Sequence, residues 1–357
     1  MVTQKQRLIK IDPQQLDAYL DKGWFRMGQT MFITHFLQLD LQFHSAIWLR
    51  YRLNEDTEKV ILKKLKPIEK KFFVDFQSWR YTLEQESLYS VYVADSGLNI
   101  KDDLLGLMLG WEEENIFDTR QASIYDGMRL IATGLLDFGK STAAGICNFY
   151  HPDYKKYSLG KALMYAKMRA CLEAGLTYFY PGYAVPGYCR FNYKLNMLPG
   201  NTEYFHPVFN SWLPYNHGTA LPDLLEVMHK GLFILQQEMN RLKMQTILLY
   251  YTYFDSILVD SLSKMELNQP VFLYLDFVPG LNIGMIILYD LYTGHYKVAL
   301  TNTVAPEAFY QFNHRNVNSQ VIQIYKSLGT FEDPKMVADS IQQLLGNVSD
   351  FKSQLFK

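Results

Sequence analysis

The clearest succession of strand, helix and turn patterns lies in residues 148–194, NFYHPDYKKYSLGKALMYAKMRACLEAGLTYFYPGYAVPGYCRFNYK. Its first residues complete an apolar run that predicts a strand from Thr142 to Tyr150. A helix is predicted from Ser158 to Ala174, with Ser158 as its N-cap and Gly175 just beyond its end. A further strand, Thr177 to Tyr180, leads into a loop that contains Gly182, Pro186 and Gly187.

Two more short strands precede this stretch, from Ser123 to Tyr125 and from Arg129 to Asp137. The dipeptides Asp126-Gly127 and Gly139-Lys140 supply the turns between the strands. Three strands, a helix and a further strand predict an α+β unit built on one central sheet.

The N-terminal third is predicted to be mainly helical. A short helical pattern runs from Pro13 to Lys22, and longer ones cover residues 58–71 and 80–117. The rest of residues 1–57 is rich in aromatic side chains without a clean period, so we expect it to be irregular.

The C-terminal third mixes helices and strands. Pro222 is predicted to occupy the first turn of a long helix, because its ring fits that position. Residues 271–278 and 283–292 are typical of strands, and Thr293-Gly294 is predicted to turn the second of them into a hairpin with Tyr296 to Asn302. A last amphipathic helix is expected from Asp333 to about Phe351.

The composition excludes several classes of protein. The chain has 357 residues and a formal net charge of -1, which excludes coating of nucleic acid through bulk charge. Its three cysteines form no CxxC motif and are too few for a disulfide framework, which is typical of a reducing cytosol. The histidines form no HExxH motif, the first residues predict no secretory signal, and no apolar run is long enough to span a bilayer.

The start of the predicted helix at Ser158-Leu159-Gly160 is a candidate anion site. Backbone N–H groups at a helix N-terminus are unpaired and carry partial positive charge, so they bind phosphates well. Tyr157 to Ala162 also fits the loose acyltransferase pattern R/Q-x-x-G-x-G/A, with Tyr in place of the first basic residue. The simpler interpretation is an ordinary helix with a serine cap and a solvated face.

Three motifs in this chain resemble the arginyl-tRNA–protein transferases and their bacterial relatives, the aspartate/glutamate leucyltransferases. The first is Tyr150-His151-Pro152-Asp153-Tyr154, followed by Ser158-Leu159-Gly160, which resembles Y-D-P-D-Y-x-x-x-S-L-G. The second runs from Gly182-Tyr183 through Cys189 to Tyr193-Lys194 and resembles G-Y-x-I-x-x-C-x-x-M-x-Y-K. Asp21 to Arg26, with Gly23-Trp24 inside, resembles the family's D-R-G-W-R-R opening.

The resemblance implies a GNAT-like acyltransferase core in an α+β chain, with a small N-terminal segment and a C-terminal α+β extension. We therefore expect an N-terminal helper domain over residues 1–75, a transferase domain over 76–213, and an extension of unassigned role over 214–357. The resemblance implies a cytoplasmic enzyme that moves an amino acid, arginine ahead of leucine, from tRNA to the α-amine of a protein that begins with Asp or Glu.

The chain departs from the family at two places. Thr34, His35, Phe36 and Leu37 stand in the neighbourhood of the cysteines that bind metal or an iron–sulfur cluster in some members. We therefore expect no metal or cluster, with aminoacyl-tRNA as the co-substrate and no other cofactor. His151 replaces the first Asp of Y-D-P-D, which leaves the transferred amino acid open.

Candidate roles follow for the residues of these motifs. Because an α-amine has a pKa of about 7.7–8.0, part of it is neutral at pH 7, and alignment rather than a strong base is the main requirement. The candidates to position the amine or the donor ribose are Tyr180 and Tyr183. The expected substrate-binding residues are Asp153, Ser158, Leu159, Gly160, Gly182, Arg190, Tyr193 and Lys194. For each, the alternative is a packed aromatic, an exposed charge or a turn residue, and Cys189 is more simply a packed cysteine than a nucleophile.

Binding of tRNA requires a basic face. Between residues 59 and 71 there are six lysines against Glu69 alone, and more lysines surround the helix start. The expected tRNA-binding residues are Lys63, Lys64, Lys66, Lys155, Lys156 and Lys161, with Lys70 and Lys71 beside them. An acceptor stem is contacted through phosphates and 2′-hydroxyls, so binding is predicted to weaken steeply with salt.

Two other functions stay open on the sequence. One is an acyl-CoA-dependent N-acyltransferase, in which the helix start at Tyr157 to Ala162 would hold a pyrophosphate. The other is a non-catalytic GNAT-like binding protein. Residues 221–242 carry an apolar heptad stripe that is either intramolecular core or the seam of a homodimer: Leu221, Leu225, Met228, Leu232, Leu235, Met239 and Leu242. No membrane partner is expected.

Overall fold

The computed structural model describes residues 2–97, 101–258, 267–278, 283–305 and 308–347. The chain divides into two compact units. The central unit comprises Lys5–Ile33 and Ile47–Leu221, and the C-terminal unit comprises Met1–Gln4, Thr34–Ala46 and Pro222–Lys357. The three-part division at residues 75 and 213 remains a prediction.

The first 70 residues contain more strands than the sequence predicts. In chain order they form β1 Thr3–Arg7, α1 Pro13–Asp21, β2 Phe25–Met27, β3 Thr30–Thr34, β4 Phe36–Leu39, β5 Gln42–Ser45, β6 Ile47–Arg52 and α2 Glu55–Glu69. The predicted helices at Pro13 and at 58–71 are confirmed. The prediction that the region between them is irregular is wrong, because it contains five strands. Its strands have three to six residues, too short to show a period of two.

The central unit is built on one eight-stranded sheet. Its remaining elements are β7 Phe73–Ser78, α3 Leu83–Ser96, α4 Leu104–Leu109, β8 Thr119–Asp126, β9 Arg129–Phe138, β10 Thr142–Tyr150, α5 Leu159–Glu173, β11 Tyr178–Ala184, β12 Thr202–His206 and β13 Ser211–Pro214. The strand order is β13-β12-β6-β11-β10-β9-β8-β7. The predicted α+β class is confirmed, and β10 has the predicted bounds.

The segment 80–117 is not one helix. Gly97, with φ of 61°, takes the left-handed conformation that ends α3. The carboxylate of Asp103 then caps α4 by accepting from the backbone N–H of Gly106. The left-handed glycine and the new cap explain why the continuous helical pattern is interrupted; residues 98–100 lie outside the described part of the chain.

The strands β10 and β11 are the parallel neighbours that α5 connects. They pair only at Thr142↔Tyr178, Ala143↔Phe179 and Ala144↔Tyr180. Beyond these pairs β10 has a bulge between Gly145 and Cys147, and the register of β11 against β6 shifts between Phe179 and Gly182. Bulges bend strands, so β10 and β11 separate at this point, which we call the parting of β10 and β11.

Each face of the sheet buries its own core. On one face α2 and α5 pack against strand residues, with Leu65, Leu163 and Phe179 fully buried. On the other face Phe25 stacks on Trp48 with ring centroids 3.8 Å apart. Burial of each large apolar side chain contributes about 1.5–3 kcal/mol, so the two cores hold the parting of β10 and β11 in place.

The C-terminal unit carries a second sheet. Its later elements are α6 Leu224–Arg241, β14 Ile247–Tyr251, β15 Val271–Val278, β16 Ile283–Tyr289, β17 Tyr296–Asn302, β18 Phe309–Phe312, β19 Arg315–Asn318, β20 Ile324–Phe331 and α7 Pro334–Gly346. The strand order is β18-β19-β14-β15-β16-β17-β20. The hairpin of β16 and β17 is confirmed, with β17 at its predicted bounds.

Two helix ends in this unit differ from the prediction. Pro222 lies before α6 rather than in its first turn, because Asp223 is the N-cap and accepts from the N–H groups of Leu225 and Glu226. The last helix begins at Pro334 after the cap Asp333, and the predicted end at Phe351 lies outside the described residues.

The heptad stripe of α6 is core of its own unit. Leu225 is 4% exposed, and Met228, Leu232, Leu235 and Met239 are fully buried. α6 packs on α7, β15 and β16. Side chains that are already buried within the chain are not available to form a coiled coil with a second chain. The structure therefore supports the interpretation of the stripe as intramolecular core and does not support a homodimer through residues 221–242.

Candidate active site

A cavity of about 420 Å³ opens at the start of α5, between α2 and the 3₁₀ helix Cys189–Asn196. We call it the α2–α5 cavity. Its walls come from three parts of the chain: Lys64, Pro67 and Ile68 of α2, Tyr157, Ser158, Lys161, Ala162 and Tyr165 around the start of α5, and Tyr193, Asn196 and Met197. The structure thus brings Lys64 and Tyr193, which lie far apart in the sequence, together with Ser158 and Lys161 at the start of α5.

The backbone at the start of α5 has an unexpected form. Ser158 occupies the predicted N-cap position with φ of 53° and ψ of 44°, but its side chain makes no capping hydrogen bond. Its carbonyl instead accepts from the N–H groups of Lys161 and Ala162 at 3.0 and 3.2 Å. Leu159 is fully buried and serves the core, while Gly160 allows the Tyr150 ring to approach within 3.4 Å of its missing Cβ.

Four of the predicted lysines gather at this cavity. Lys64 and Lys161 line it. Lys71 Nζ donates to the Tyr157 hydroxyl, and Lys156 Nζ lies 5.3 Å from the same ring. The hydrogen bond from Lys71, together with Lys156, lowers the pKa of Tyr157. The cavity therefore has a cationic rim.

The other predicted lysines lie near this rim. Lys155 is exposed on the 3₁₀ turn Pro152–Tyr157. Lys64 and Ile68 of α2, and Lys71 two residues beyond the end of the helix, lie on the cavity side and are spaced by four and three. Lys63, Lys66 and Lys70 are exposed and follow the neighbouring row of the same helix.

Tyrosine rings supply the apolar part of the cavity. Burial raises the pKa of Tyr193 to about 12, so its hydroxyl stays protonated. Lys161 Nζ lies 5.9 Å from the Tyr193 ring centroid. Aromatic rings beside ammonium groups can stack a base and neutralise its phosphate.

Lys194 lies at the parting of β10 and β11. Its side chain is buried, and its Nζ donates to the carbonyl of Tyr183 at 2.9 Å. Its own backbone carbonyl accepts from the Tyr51 hydroxyl at 2.6 Å, which fixes the 3₁₀ helix on β6. Burial, and then the nearby Lys167, lower the pKa of Lys194 to about 7.

Lys167 is a second buried amine, and the sequence motifs did not predict its burial. It is 1% exposed on α5, and its Nζ donates to the carbonyls of Leu135 and Cys147 at 3.2 and 3.5 Å. Burial lowers its pKa to about 8. A signal existed, because Leu163, Lys167 and Cys171 follow the four-residue spacing of one buried face.

The two tyrosines predicted to position the substrate differ in accessibility. Tyr180 is 1% exposed between Trp212 and Phe25, with centroid distances of 5.3 and 6.1 Å, so its side chain serves the aromatic core. Tyr183 is half-buried and packs edge to face on Trp48, with ring centroids 5.3 Å apart. Both its backbone carbonyl and its ring face Lys194, whose Nζ donates to the carbonyl at 2.9 Å and lies 5.3 Å from the ring centroid.

Three other predicted residues lie outside the cavity lining. The Asp153 carboxylate is exposed and lies 3.5 Å from the imidazole of His151. Arg190 donates to the carbonyl of Ser96 at 3.2 Å. Gly182 belongs to β11 rather than to a loop, because the strand extends to Ala184. It has φ of 89° at the register shift, where glycine is favoured.

Two further findings concern metals and membranes. Among the residues described, no three His, Cys, Asp or Glu side chains come together as a metal-binding group. None of the helices in the described ranges combines the length and the apolar content needed to cross a bilayer.

Comparison with known proteins finds a family match that covers the part of the site beyond α2. The family model of the arginine-tRNA-protein transferase C terminus matches residues 70–203. An aspartate/glutamate leucyltransferase of Leptospira interrogans serovar copenhageni is 26% identical over 208 residues, 56% of this chain and 78% of that protein.

Solved structures show weaker similarity. The C-terminal domain of a putative lysylphosphatidylglycerol synthetase from Agrobacterium fabrum has a TM-score of 0.32 and 15% identity over 39% of this chain and 47% of that one. A GCN5-related N-acetyltransferase-like protein from Streptococcus suis has a TM-score of 0.24 and 16% identity over 39% of this chain and 58% of that one. The chain thus spans about half the length of these two structures.

The start of α5, β11 and Lys194 all lie within residues 70–203. The resemblance inferred from the motifs is confirmed: over these residues the chain matches the arginine-tRNA-protein transferase C-terminal family, and over 208 residues it is similar to an aspartate/glutamate leucyltransferase.

Proposed function

We propose that this chain is an aminoacyl-tRNA–protein transferase that moves an amino acid, arginine ahead of leucine, from tRNA to the α-amine of a protein beginning with Asp or Glu. The observation that carries the proposal is the α2–α5 cavity, whose cationic and aromatic walls lie at the start of α5. The proposed setting is the cytoplasm, where charged tRNA is made, and no metal or other cofactor is proposed.

The cavity suits the 3′ end of a charged tRNA. Lys64 and Lys161 can pair with its phosphates, and the rings of Tyr157 and Tyr193 offer surfaces for a terminal base. Lys71 and Lys156, held at Tyr157, extend the positive charge along the path of the RNA backbone.

The acceptor amine is proposed to enter at the parting of β10 and β11. Backbone groups at separated strands are available to a substrate there, and their N–H groups can stabilise the oxyanion of a tetrahedral intermediate. Lys194 is a buried amine beside Gly182 and Tyr183 at this point. The reaction releases a ribose hydroxyl from an activated ester, so alignment of the two substrates supplies much of the rate.

The preference for arginine rests on Asp153. Its exposed carboxylate lies on the 3₁₀ turn that leads into the cavity, where it can pair with a guanidinium group. The preference for an acidic acceptor rests on the family resemblance and on the lysines of the site.

The test is direct transfer. Purified full-length chain is incubated with radiolabelled Arg-tRNA or Leu-tRNA and with peptides that differ only in beginning with Asp, Glu or Lys. We expect label on the Asp and Glu peptides and little on the Lys peptide. No label with either donor would overturn the proposal, and stabilisation by acetyl-CoA without any effect of tRNA would favour the acyl-CoA alternative.

A further inference from the structure

Two buried lysine amines flank the parting of β10 and β11. Gly145 follows the last parallel pair on β10, and Lys167 Nζ lies 3.3 Å from the position that a Cβ would take there. Gly182 lies beyond the last pair on β11, and Lys194 Nζ lies 3.4 Å from its missing Cβ. Each amine therefore lies beside one of these glycines, one amine from α5 and the other from the 3₁₀ helix.

Neither amine has an acidic counter-ion. In the described ranges, Lys167 donates to backbone carbonyls of β9 and β10, Lys194 donates to that of Tyr183, and neither lies within ion-pair distance of a carboxylate. The titratable groups beside these residues are Cys147 and Cys171 at Lys167, Tyr183 at the Lys194 amine, and Tyr51 at the Lys194 backbone carbonyl. All four are weak acids, and two buried ammonium groups without an anion repel each other, so one of the two loses its proton readily.

We propose that Lys194, in its neutral form, accepts a proton from the α-ammonium group of the acceptor, and that Lys167 is the positioning residue whose charge keeps Lys194 neutral. The inference rests on the proposed function. It assigns a catalytic role to Lys194. It also explains why a charged lysine, Lys167, lies inside the core, although no sequence motif indicated it.

The electrostatics agree with this assignment of roles. Burial and Lys167 lower the pKa of Lys194 to about 7, close to the pKa of about 7.7–8.0 of an α-amine. Lys167, whose pKa is lowered by burial to about 8, keeps its proton to higher pH than Lys194 does. A base matched to its substrate transfers protons efficiently near neutral pH, and a like-charged neighbour is a common way to obtain one.

The step balances without a further reagent. The α-ammonium group gives one proton to Lys194 Nζ, and the amine nitrogen then attacks the ester carbonyl carbon to form the C–N bond. As the ester C–O bond breaks, the ribose oxygen keeps the electron pair and takes the second proton from nitrogen. Lys194 returns its proton to solvent, so the products are the amide, the tRNA hydroxyl and one proton.

The first test measures kcat against pH with both substrates saturating. The wild-type rate is expected to rise with pH through an acid limb near 7. Lys167→Met, and Lys167→Gln, whose amide can still donate a hydrogen bond, both remove the charge and are expected to move the acid limb to higher pH. Lys167→Arg keeps the charge and is expected to leave the acid limb in place. The control Lys140→Met, at an exposed turn, leaves rate and limb unchanged.

The second test asks whether Lys194 acts as a base. Lys194→Ala is expected to lower kcat by roughly 100-fold or more, the usual contribution of a general base. Small tertiary amines, which cannot form a stable amide, then restore part of the rate in order of their basicity. A purely structural role would give no such order.

Either of two results would overturn the inference while the proposed function stands. One is transfer at the wild-type rate by Lys194→Ala. The other is an unmoved acid limb in folded Lys167→Met and Lys167→Gln. Absence of transfer by the wild-type chain would instead count against the proposed function itself.

Discussion

Lys167 shows how one side chain can be misjudged from sequence. It stands among other cations near the start of α5, so its charge suggests a solvated face. The structure places it on the buried face of the helix, with both of its hydrogen bonds on strand carbonyls. A lysine at the four-residue spacing of an apolar stripe is the signal, but its burial depends on the bulge in β10, which the sequence does not reveal.

Gly182 gives a prediction at the same scale. Gly182→Ala would force a side chain into a backbone with φ of 89° and place its Cβ 3.4 Å from Lys194 Nζ. We expect a loss of about 1–2 kcal/mol of unfolding free energy together with a lower transfer rate. Urea unfolding and kcat measure the two effects.

Gly187→Ala is the matched control. Gly187 has φ of 75° and nothing within 4 Å of its missing Cβ. It should lose stability to a similar extent and keep its transfer rate. Equal rates in the two variants would contradict a role for the contact between Gly182 and Lys194.

Helices and strands could be predicted from the sequence where the apolar pattern is long or where turn residues such as glycine mark the ends of the element. The β10 strand and the β16–β17 hairpin were found from apolar runs bounded by Gly-containing turns. The strands among residues 25–52 were missed because each is short and their pairing is set by tertiary contacts, such as Phe25 on Trp48. The cavity itself could not be predicted, because α2 and the 3₁₀ helix reach it from distant parts of the sequence.

The two rows of lysines on α2 and just beyond its end give an element-scale prediction. The double variant Lys64→Met, Lys71→Met removes charge from the row facing the cavity, so tRNA binding should weaken. The slope of log affinity against log salt should fall by about 0.7–0.9 for each phosphate that the variant no longer neutralises. Fluorescence anisotropy with labelled tRNA over a salt series measures both.

The comparison variant is Lys63→Met, Lys66→Met, which removes the same charge from the neighbouring row of the same helix. It should weaken binding less and change the slope less. If the two double variants behave alike, the RNA does not follow the cavity row.

The stability of the chain as a whole should depend on pH through its two buried amines. Their pKa values lie near 8 and 7 in the folded chain, below the value of about 10.4 expected when unfolded. Between these limits the unfolded chain binds more protons, so unfolding free energy rises as the pH increases from about 7 to about 10.

The urea midpoint at pH 7 and pH 9 tests this dependence. It should rise more in the wild-type chain than in the double variant Lys167→Met, Lys194→Met. An identical rise in both proteins would show that other groups carry the pH dependence.

The C-terminal unit includes the hairpin of β4 and β5, although most of that unit follows residue 221. Phe43 of this hairpin is buried and lies 5.2 Å from Tyr250 and 5.7 Å from Phe254, and Ser45 donates to the Asp223 carboxylate at 2.7 Å. At about 5–20 residues per second, a ribosome needs on the order of ten seconds or more to deliver those partners after the hairpin has emerged. During this time the aromatic side of the nascent hairpin stays exposed to solvent. In a protein truncated after residue 221, Phe43 would remain without the partners Tyr250 and Phe254.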